Sequence, residues 1–419
     1  MTPIAQAPRR VAVTGLGLLT PLGLDTESTW DGLIEGRSGI APITAFDASA
    51  FECPIAGELR GFDPAQHADP KLARRIDRSS VLAIAASKQA VQDAQLDLER
   101  QPPGSVGIVL GTGIGGAHLI VENQQVLDDR GPRRVSPFLP PNLLPDPAPG
   151  LVAIARGAGG PNLAGTAAGA TGGAAVGEAA EMIRRGAADV IIAGGFEAPL
   201  KPIYYAGFQA MRALAVHDDP TQASRPFDGE RNGFVISEGA SVLILEELDH
   251  ALARGARIYA EWEGAATASD AFDMAAAADD GRGIVRAMRW VLDGSGVATD
   301  EVDYLNAHGT GTPLNDRVET LAIRTVFGED ADRIAVSSTK SMLGHMMGAA
   351  GALEAAVAVL ACDRQIAPPT INYRTRDPEC DLDYVPNEAR PMEVRRAMST
   401  SVGLGGHNSV LLFGRWEGA

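Results

Sequence analysis

The sequence predicts a layered α/β protein built from two similar halves, and three observations carry that prediction. Short apolar runs that read as buried strands alternate with stretches of helical period, the pattern of helices packed on a sheet. One strand-to-glycine junction recurs: Ser105–Leu110 runs into Gly111-Thr-Gly113, and Val302–Asn306 runs into His308-Gly-Thr-Gly-Thr312. The glycine-rich turn at 169–173, which enters an alanine-rich helix, is echoed by Gly344-His-Met-Met-Gly-Ala-Ala-Gly351, which enters another. The halves are placed at residues 1–255 and 256–419.

In chain order, Arg10-Val-Ala-Val-Thr-Gly15 opens with a strand and meets the turns Gly15-Leu-Gly17 and Pro21-Leu-Gly23. Thr26–Glu35 predicts a short helix with Thr26 or Ser28 as its N-cap. Residues 37–70 are rich in Pro, Gly and Asp and predict an irregular surface excursion. Ser79–Leu96 reads as an amphipathic helix. Gly111-Thr-Gly-Ile-Gly-Gly116 then formally matches the dinucleotide fingerprint, which also needs an acidic residue about 20 positions on, at the end of a strand. Asp128 and Asp129 lead instead into the loop Gly-Pro-Arg-Arg, so the glycines read as points of close backbone packing. Gly131–Pro149 is dense in proline and predicts an excursion over the surface or a subunit interface. Buried strands follow at Asp189–Gly195 and Ala240–Glu246, with a polar loop between them from Val216 to Arg231. Ile258–Ala268 is extended and opens the second half, before a helix at Gly283–Leu292.

Composition narrows the function classes. The 419 residues, with 45% hydrophobic and 21% charged, fit a soluble globular chain with a large core. A net charge of −17 disfavours nonspecific nucleic-acid binding, which needs a basic field. Cys53, Cys362 and Cys380 have neither metal-like nor disulfide-like spacing, and scattered cysteines in odd number fit a reducing cytoplasm. Met1–Arg10 lacks the apolar core of a signal peptide. The most apolar helix, near Gly351–Cys362, contains Glu354 and is too short to span a bilayer.

The chain is organised around the turn at Gly169. Small and apolar residues precede it, and a helix follows with Ala174, Val176, Ala179, Ala180 and Ile183 as apolar positions. A residue there sits at a helix N-terminus, where backbone N–H groups and the dipole favour negative charge and would lower a cysteine's pKa. Position 169 is glycine. Two further candidates are His308, in a strand-end loop, and His345, just before an Ala/Gly helix; as neutral imidazoles they would exchange hydrogen bonds with a carbonyl or carboxylate. Lys340 and Glu354 are spaced to approach one another, and Asp316 and Glu319 are placed to join them.

These residues carry a resemblance that runs nearly end to end. Ala307-His-Gly-Thr-Gly-Thr312, Ser337-Ser-Thr-Lys-Ser341 with Gly344-His345, Arg225-Pro-Phe-Asp228 and Gly403-Leu-Gly-Gly-His-Asn408 resemble a β-ketoacyl-acyl-carrier-protein synthase, the elongating condensing enzyme of the thiolase-like superfamily. The resemblance implies a five-layered α-β-α-β-α core of two similar halves, usually dimeric. It implies a cysteine that takes an acyl chain from a carrier protein and two histidines, here His308 and His345, that promote decarboxylation of malonyl-carrier protein. Lys340 with Glu354 then supplies the supporting ion pair, and Thr310 and Thr312 hold the phosphopantetheine arm, with Ile120 as a further substrate contact. No permanently bound cofactor or metal is implied. The oxyanion hole is the backbone N–H of residue 169 with that of Leu404. Lys71, Arg74, Arg75, Arg133, Arg134 and Arg212 fall where the family docks its acidic carrier protein.

The departures shape the functional expectation. The family's nucleophilic cysteine aligns with Gly169, so no acyl-enzyme can form. The gating phenylalanine is Leu404, and a usual hydroxyl position in Asp270-Ala-Phe-Asp-Met-Ala-Ala276 is apolar. The sequence is therefore similar to the chain-length factor of a type II polyketide synthase, a cysteine-less subunit paired with a competent ketosynthase across residues 117–126 and 136–150. Retention of both histidines suggests a relative close to the fatty-acid enzymes, serving reduced or polyene chains. The alternatives are an ordinary elongating synthase with an engineered Cys-to-Gly change at 169, and a malonyl-carrier-protein decarboxylase.

Overall fold

Ten strands form one mixed sheet in the computed structural model, which describes residues 8–418. In chain order they are β1 (Val11–Leu19), β2 (Val106–Gly111), β3 (Asn162–Gly165), β4 (Val190–Glu197), β5 (Gly239–Glu247), β6 (Ala260–Ser269), β7 (Tyr304–Asn306), β8 (Ala335–Ser337), β9 (Arg396–Gly403) and β10 (His407–Arg415). Their spatial order is β8-β7-β9-β10-β6-β1-β5-β4-β2-β3. Numbered within each set of five, both halves read 3-2-4-5-1 from the outer edge inward. The directions match too: the outer three strands are parallel and the inner two antiparallel in each half. The internal echo in the sequence is a duplicated topology.

Among the described residues, the strand ladders of the two halves join where Val11–Val13 of β1 pairs with Ala260–Trp262 of β6. Helices α1 (Arg78–Asp93), α2 (Ala117–Arg130), α3 (Thr171–Arg184), α4 (Arg282–Ser295), α5 (Pro313–Phe327) and α6 (Ala350–Arg364) complete the frame. Helix α1 covers the outer face of the first half, and α4 with α5 covers that of the second. Helices α3 and α6 lie between the halves and touch strands of both, which makes five layers, α-β-α-β-α. α6 is buried all round from Ala350 to Cys362, as a helix enclosed on every side must be. Small residues allow α3 and α6 to meet backbone to backbone: a Cβ at Gly172 would come within 2.4 Å of Ala352 N, and one at Gly351 within 2.5 Å of Gly173 N.

Local details differ from the sequence expectations. The first helix, Thr26–Ile34, is capped by neither Thr26 nor Ser28: Asp25 adopts the extended cap conformation, and its carboxylate accepts from Ser28 N at 2.7 Å. The excursion at 37–70 contains a short antiparallel pair, Ile40–Pro42 with Ile55–Gly57. Asp128 and Asp129 belong to the last turn of α2, and the proline-rich stretch forms the helix Leu139–Leu143 and opens another, Pro147–Arg156. Proline suits both because its missing N–H costs nothing in a first turn. The start of the Met1–Arg10 stretch lies outside the described residues. No helix among the described residues is long and apolar enough to cross a membrane.

Candidate functional site

Gly169 lies in a tight turn, Ala168–Ala170, between β3 and α3. Ala168 takes a positive φ of 48°, a conformation that non-glycine residues adopt only when their surroundings hold them there. Thr171 does much of the holding. Its hydroxyl accepts from Ala167 N and donates to Ala168 O, both at 2.7 Å. The turn projects residue 169 into a cavity of about 620 Å³.

His308 and His345 face that cavity with ring centroids 5.3 Å apart and planes at 84°. His308 lies in the loop after β7 and His345 just beyond the short helix Lys340–Leu343 that follows β8, and the two strands neighbour each other in the sheet. Burial, and then the Lys340 charge, pushes both imidazoles well below the usual histidine pKa, and His345 adds a smaller push on His308. Both rings are therefore neutral at pH 7. Lys340 Nζ approaches His308 Nδ1 at 3.3 Å, and Met347 N donates to His345 Nδ1 at 3.1 Å. With each Nδ1 accepting, the hydrogen-bond network assigns the proton of each ring to Nε2. An ideal Cβ at Gly169 would lie 3.3 Å from His345 Nε2 and 3.4 Å from His308 Cε1. A side chain at 169 would thus touch both rings. Two neutral donors converge on a spot where a glycine leaves no nucleophile.

The supporting charges are buried and paired. Lys340 bonds the Glu354 carboxylate directly and donates to His308 O at 2.6 Å; Ser401 Oγ donates to the other Glu354 oxygen at 3.1 Å. Burial pushes the Glu354 acid up, against the pull of Lys340. Glu319 and Asp316 act through the backbone of the histidine loop. Glu319 accepts from His308 N and Gly309 N, each at 2.8 Å, and Asp316 accepts from Gly311 N and Phe227 N. Burial raises the Asp316 acid to about 6.

The remaining sequence candidates fall in three places. Thr310, Thr312, Leu404 and Arg212 line the cavity, and the two threonine hydroxyls are 2.9 Å apart. Ile120 does not line it: it sits half-buried on α2. Lys71, Arg74 and Arg75 are exposed around the short helix Pro70–Ala73, and Arg133 and Arg134 are exposed in the turn Pro132–Arg134. These two basic segments adjoin, because Arg75 stacks on Phe138 and its carbonyl accepts from Asn142 Nδ2 at 2.9 Å. All three cysteines are buried, and none lines the cavity.

Several cavity residues escaped the sequence reading. Phe208, Met211 and Phe234 form an apolar wall, and Val402 places its carbonyl against Gly169. Glu197, at the end of β4, holds the opposite wall through Gly113 N and Ile114 N. The signal for Glu197 was an acid closing an otherwise apolar strand, Val190-Ile-Ile-Ala-Gly-Gly-Phe-Glu197.

The sequence matches the β-ketoacyl synthase N-terminal domain over residues 8–251 and the C-terminal domain over residues 259–374. This chain belongs to the β-ketoacyl synthase family. It is 48% identical over 410 residues to 3-oxoacyl-[acyl-carrier-protein] synthase 2 of Synechocystis sp., covering 98% of this chain and 99% of that one. A Staphylococcus aureus (strain COL) protein of the same description is 47% identical over 409 residues, with 98% and 99% covered. Among solved structures, the ishigamide ketosynthase/chain length factor superposes with a TM-score of 0.91 at 36% identity, over 98% of this chain and 100% of that one. A type II PKS acyl-carrier protein in complex with its ketosynthase bound to the hexaketide gives 0.90 at 33% identity, with the same coverage. The synthase fold expected from the motifs is therefore present, in a member related to type II ketosynthases and chain-length factors that lacks the cysteine.

Proposed function

We propose that this chain is the non-acylating subunit of a type II condensing enzyme: it pairs with a cysteine-containing ketosynthase and shapes the chamber for the growing chain. Gly169 carries the reading. It occupies the turn from which a side chain would reach both histidines, and no cysteine lines the cavity. Without a nucleophile there is no acyl-enzyme to transfer from. The backbone has also closed over the space, since a Cβ at Gly169 would come within 2.5 Å of Val402 O.

The surface supports pairing. Strand β3 lies at the sheet edge, and Leu163 on it is exposed, as are Leu143, Leu144 and Ile154. An open edge with an apolar face is suited to burial against another subunit. The exposed Lys71, Arg74, Arg75, Arg133 and Arg134, with Arg212 at the cavity mouth, form the docking side for an acidic carrier protein whose phosphopantetheine arm passes Thr310 and Thr312. Co-expression with a cysteine-containing ketosynthase tests the reading. A heterodimer by native mass, with condensation lost when this chain is omitted, is expected; a self-sufficient homodimer overturns it. Gly169→Cys is expected to give no acyl adduct by mass spectrometry, whereas an adduct would favour the engineered-synthase alternative.

One observation favours a second reading, malonyl-thioester decarboxylation. Both histidines are neutral and aim Nε2–H groups into the cavity, where they can hold a thioester oxygen as negative charge develops. Loss of carbon dioxide from the malonyl carboxylate leaves an enolate, which takes a proton to give the acetyl thioester. Carbon dioxide released from malonyl-carrier protein and lost in His308→Ala would establish this activity; release no faster than background would end it.

A further inference from the structure

We infer that Glu197 is a positioning residue that fixes the width of the cavity at Gly113 and Ile114 by tying that wall to the turn carrying His345. The inference rests on the reading that an acyl chain enters this cavity. Glu197 is fully buried at the end of β4. Its Oε1 accepts from Thr112 Oγ1 at 2.7 Å and Ile114 N at 3.3 Å, and its Oε2 accepts from Gly113 N at 2.7 Å and Gly348 N at 2.9 Å. One carboxylate thus grips a loop of the first half and the entry to α6 from the second. Both gripped segments reach the cavity: Gly113 and Ile114 line one side, His345 and Met347 another.

The two glycines make this grip possible. A Cβ at Gly113 or Gly348 would stand 2.9 or 2.7 Å from Oε2, filling the space the carboxylate needs. The Thr112 hydroxyl in turn accepts from Gly115 N at 3.0 Å, so the turn 112–115 hangs from this point. Four hydrogen bonds fill the acceptor sites of this one buried carboxylate, and they are drawn from both halves. Their shared consequence is a fixed distance between the Ile114 wall and the histidine turn.

The test uses the full chain, co-purified with a cysteine-containing ketosynthase, and reads amide exchange and product length. Glu197→Ala is expected to speed exchange at residues 113, 114 and 348 by about tenfold or more and to broaden the products toward longer chains. In Glu197→Gln the amide oxygen can replace Oε2 while the NH₂ turns to Thr112 Oγ1. Only residue 114 should then exchange faster, and the product distribution should return to wild type. Unchanged exchange in Glu197→Ala, faster exchange with an unchanged product distribution, or a Gln variant as perturbed as the Ala variant would each overturn the inference. Should Glu197→Ala not fold, Thr112→Val is expected to free the amide of residue 115 and broaden the products; an unaltered distribution overturns the inference. A wild-type chain that pairs with no ketosynthase defeats the subunit reading instead, and exchange in the chain alone still judges Glu197.

Discussion

The two halves present the same turn and use it differently. Ala168-Gly169-Ala170 and Met347-Gly348-Ala349 both form a tight turn entering a central helix, and both begin on a positive φ, 48° at Ala168 and 47° at Met347. At Gly348 a Cβ would strike Gly113 N at 2.4 Å and the Glu197 carboxylate at 2.7 Å, so packing from the other half demands glycine. At Gly169 a Cβ would meet the histidine rings at 3.3 and 3.4 Å and conflict only with Val402 O, at 2.5 Å. One backbone geometry therefore serves a structural joint in one half and, in the other, a position that faces two imidazole rings. What packs against the turn, and not its φ and ψ, decides which.

Four predictions sharpen or break that contrast. The largest effect should come from the charged pair beneath the histidines. Glu354→Ala leaves Lys340 buried and uncompensated, with an expected loss of about 3–5 kcal/mol in urea unfolding. A loss under about 1 kcal/mol, the surface-pair range, would mean the pair is solvated. Next, Gly348→Ala should cost about 1–3 kcal/mol by overpacking. Gly169→Ala should cost less, because one carbonyl at the end of β9 is easier to move than a backbone joint gripped by Glu197. Equal losses in the two variants would dissolve the distinction between the turns.

A smaller, pH-dependent effect belongs to the histidines. Their folded-state pKa values lie well below the ordinary 6.5, so the unfolded chain takes up protons first as pH falls. Stability should therefore drop as pH falls below about 6.5, and the drop should be shallower in His308→Gln. An unchanged acid limb in that variant would place the protons elsewhere. The smallest effect is expected at Asp25: replacement by Ala should cost about 1 kcal/mol through the lost cap on Thr26–Ile34, and no loss would return the cap to Thr26 or Ser28.

Much of this was legible before the fold was seen, for definable reasons. Apolar runs marked the strands because a strand buried on both faces is mostly apolar, as β4 is up to its last residue and β5 is from Val242 to Leu245. His308, His345, Lys340 and Glu354 could be singled out because they sit in or near local motifs, and the structure bonds Lys340 to both His308 and Glu354 and sets the His345 ring beside that of His308. Asp25 was missed because Ser28 and Thr26 are equally good caps on paper, and only backbone conformation chooses among them. Phe208, Met211, Phe234 and Val402 had no motif to announce them, and they join the site only through contacts distant in sequence, as Phe234 does on His345 and Val402 on Gly169.

The sequence by itself determined the duplicated α/β plan, the missing nucleophile and the histidine pair. Those depend on periodicity and residue identity, which the chain carries locally. Only the tertiary structure decided that Gly169 faces two imidazoles while Gly348 faces a backbone and a buried carboxylate, that Val402 closes on the empty position, and that Ile120 stands apart from the cavity. Those facts depend on which surfaces of two separate halves come into van der Waals contact, and no window of sequence contains both.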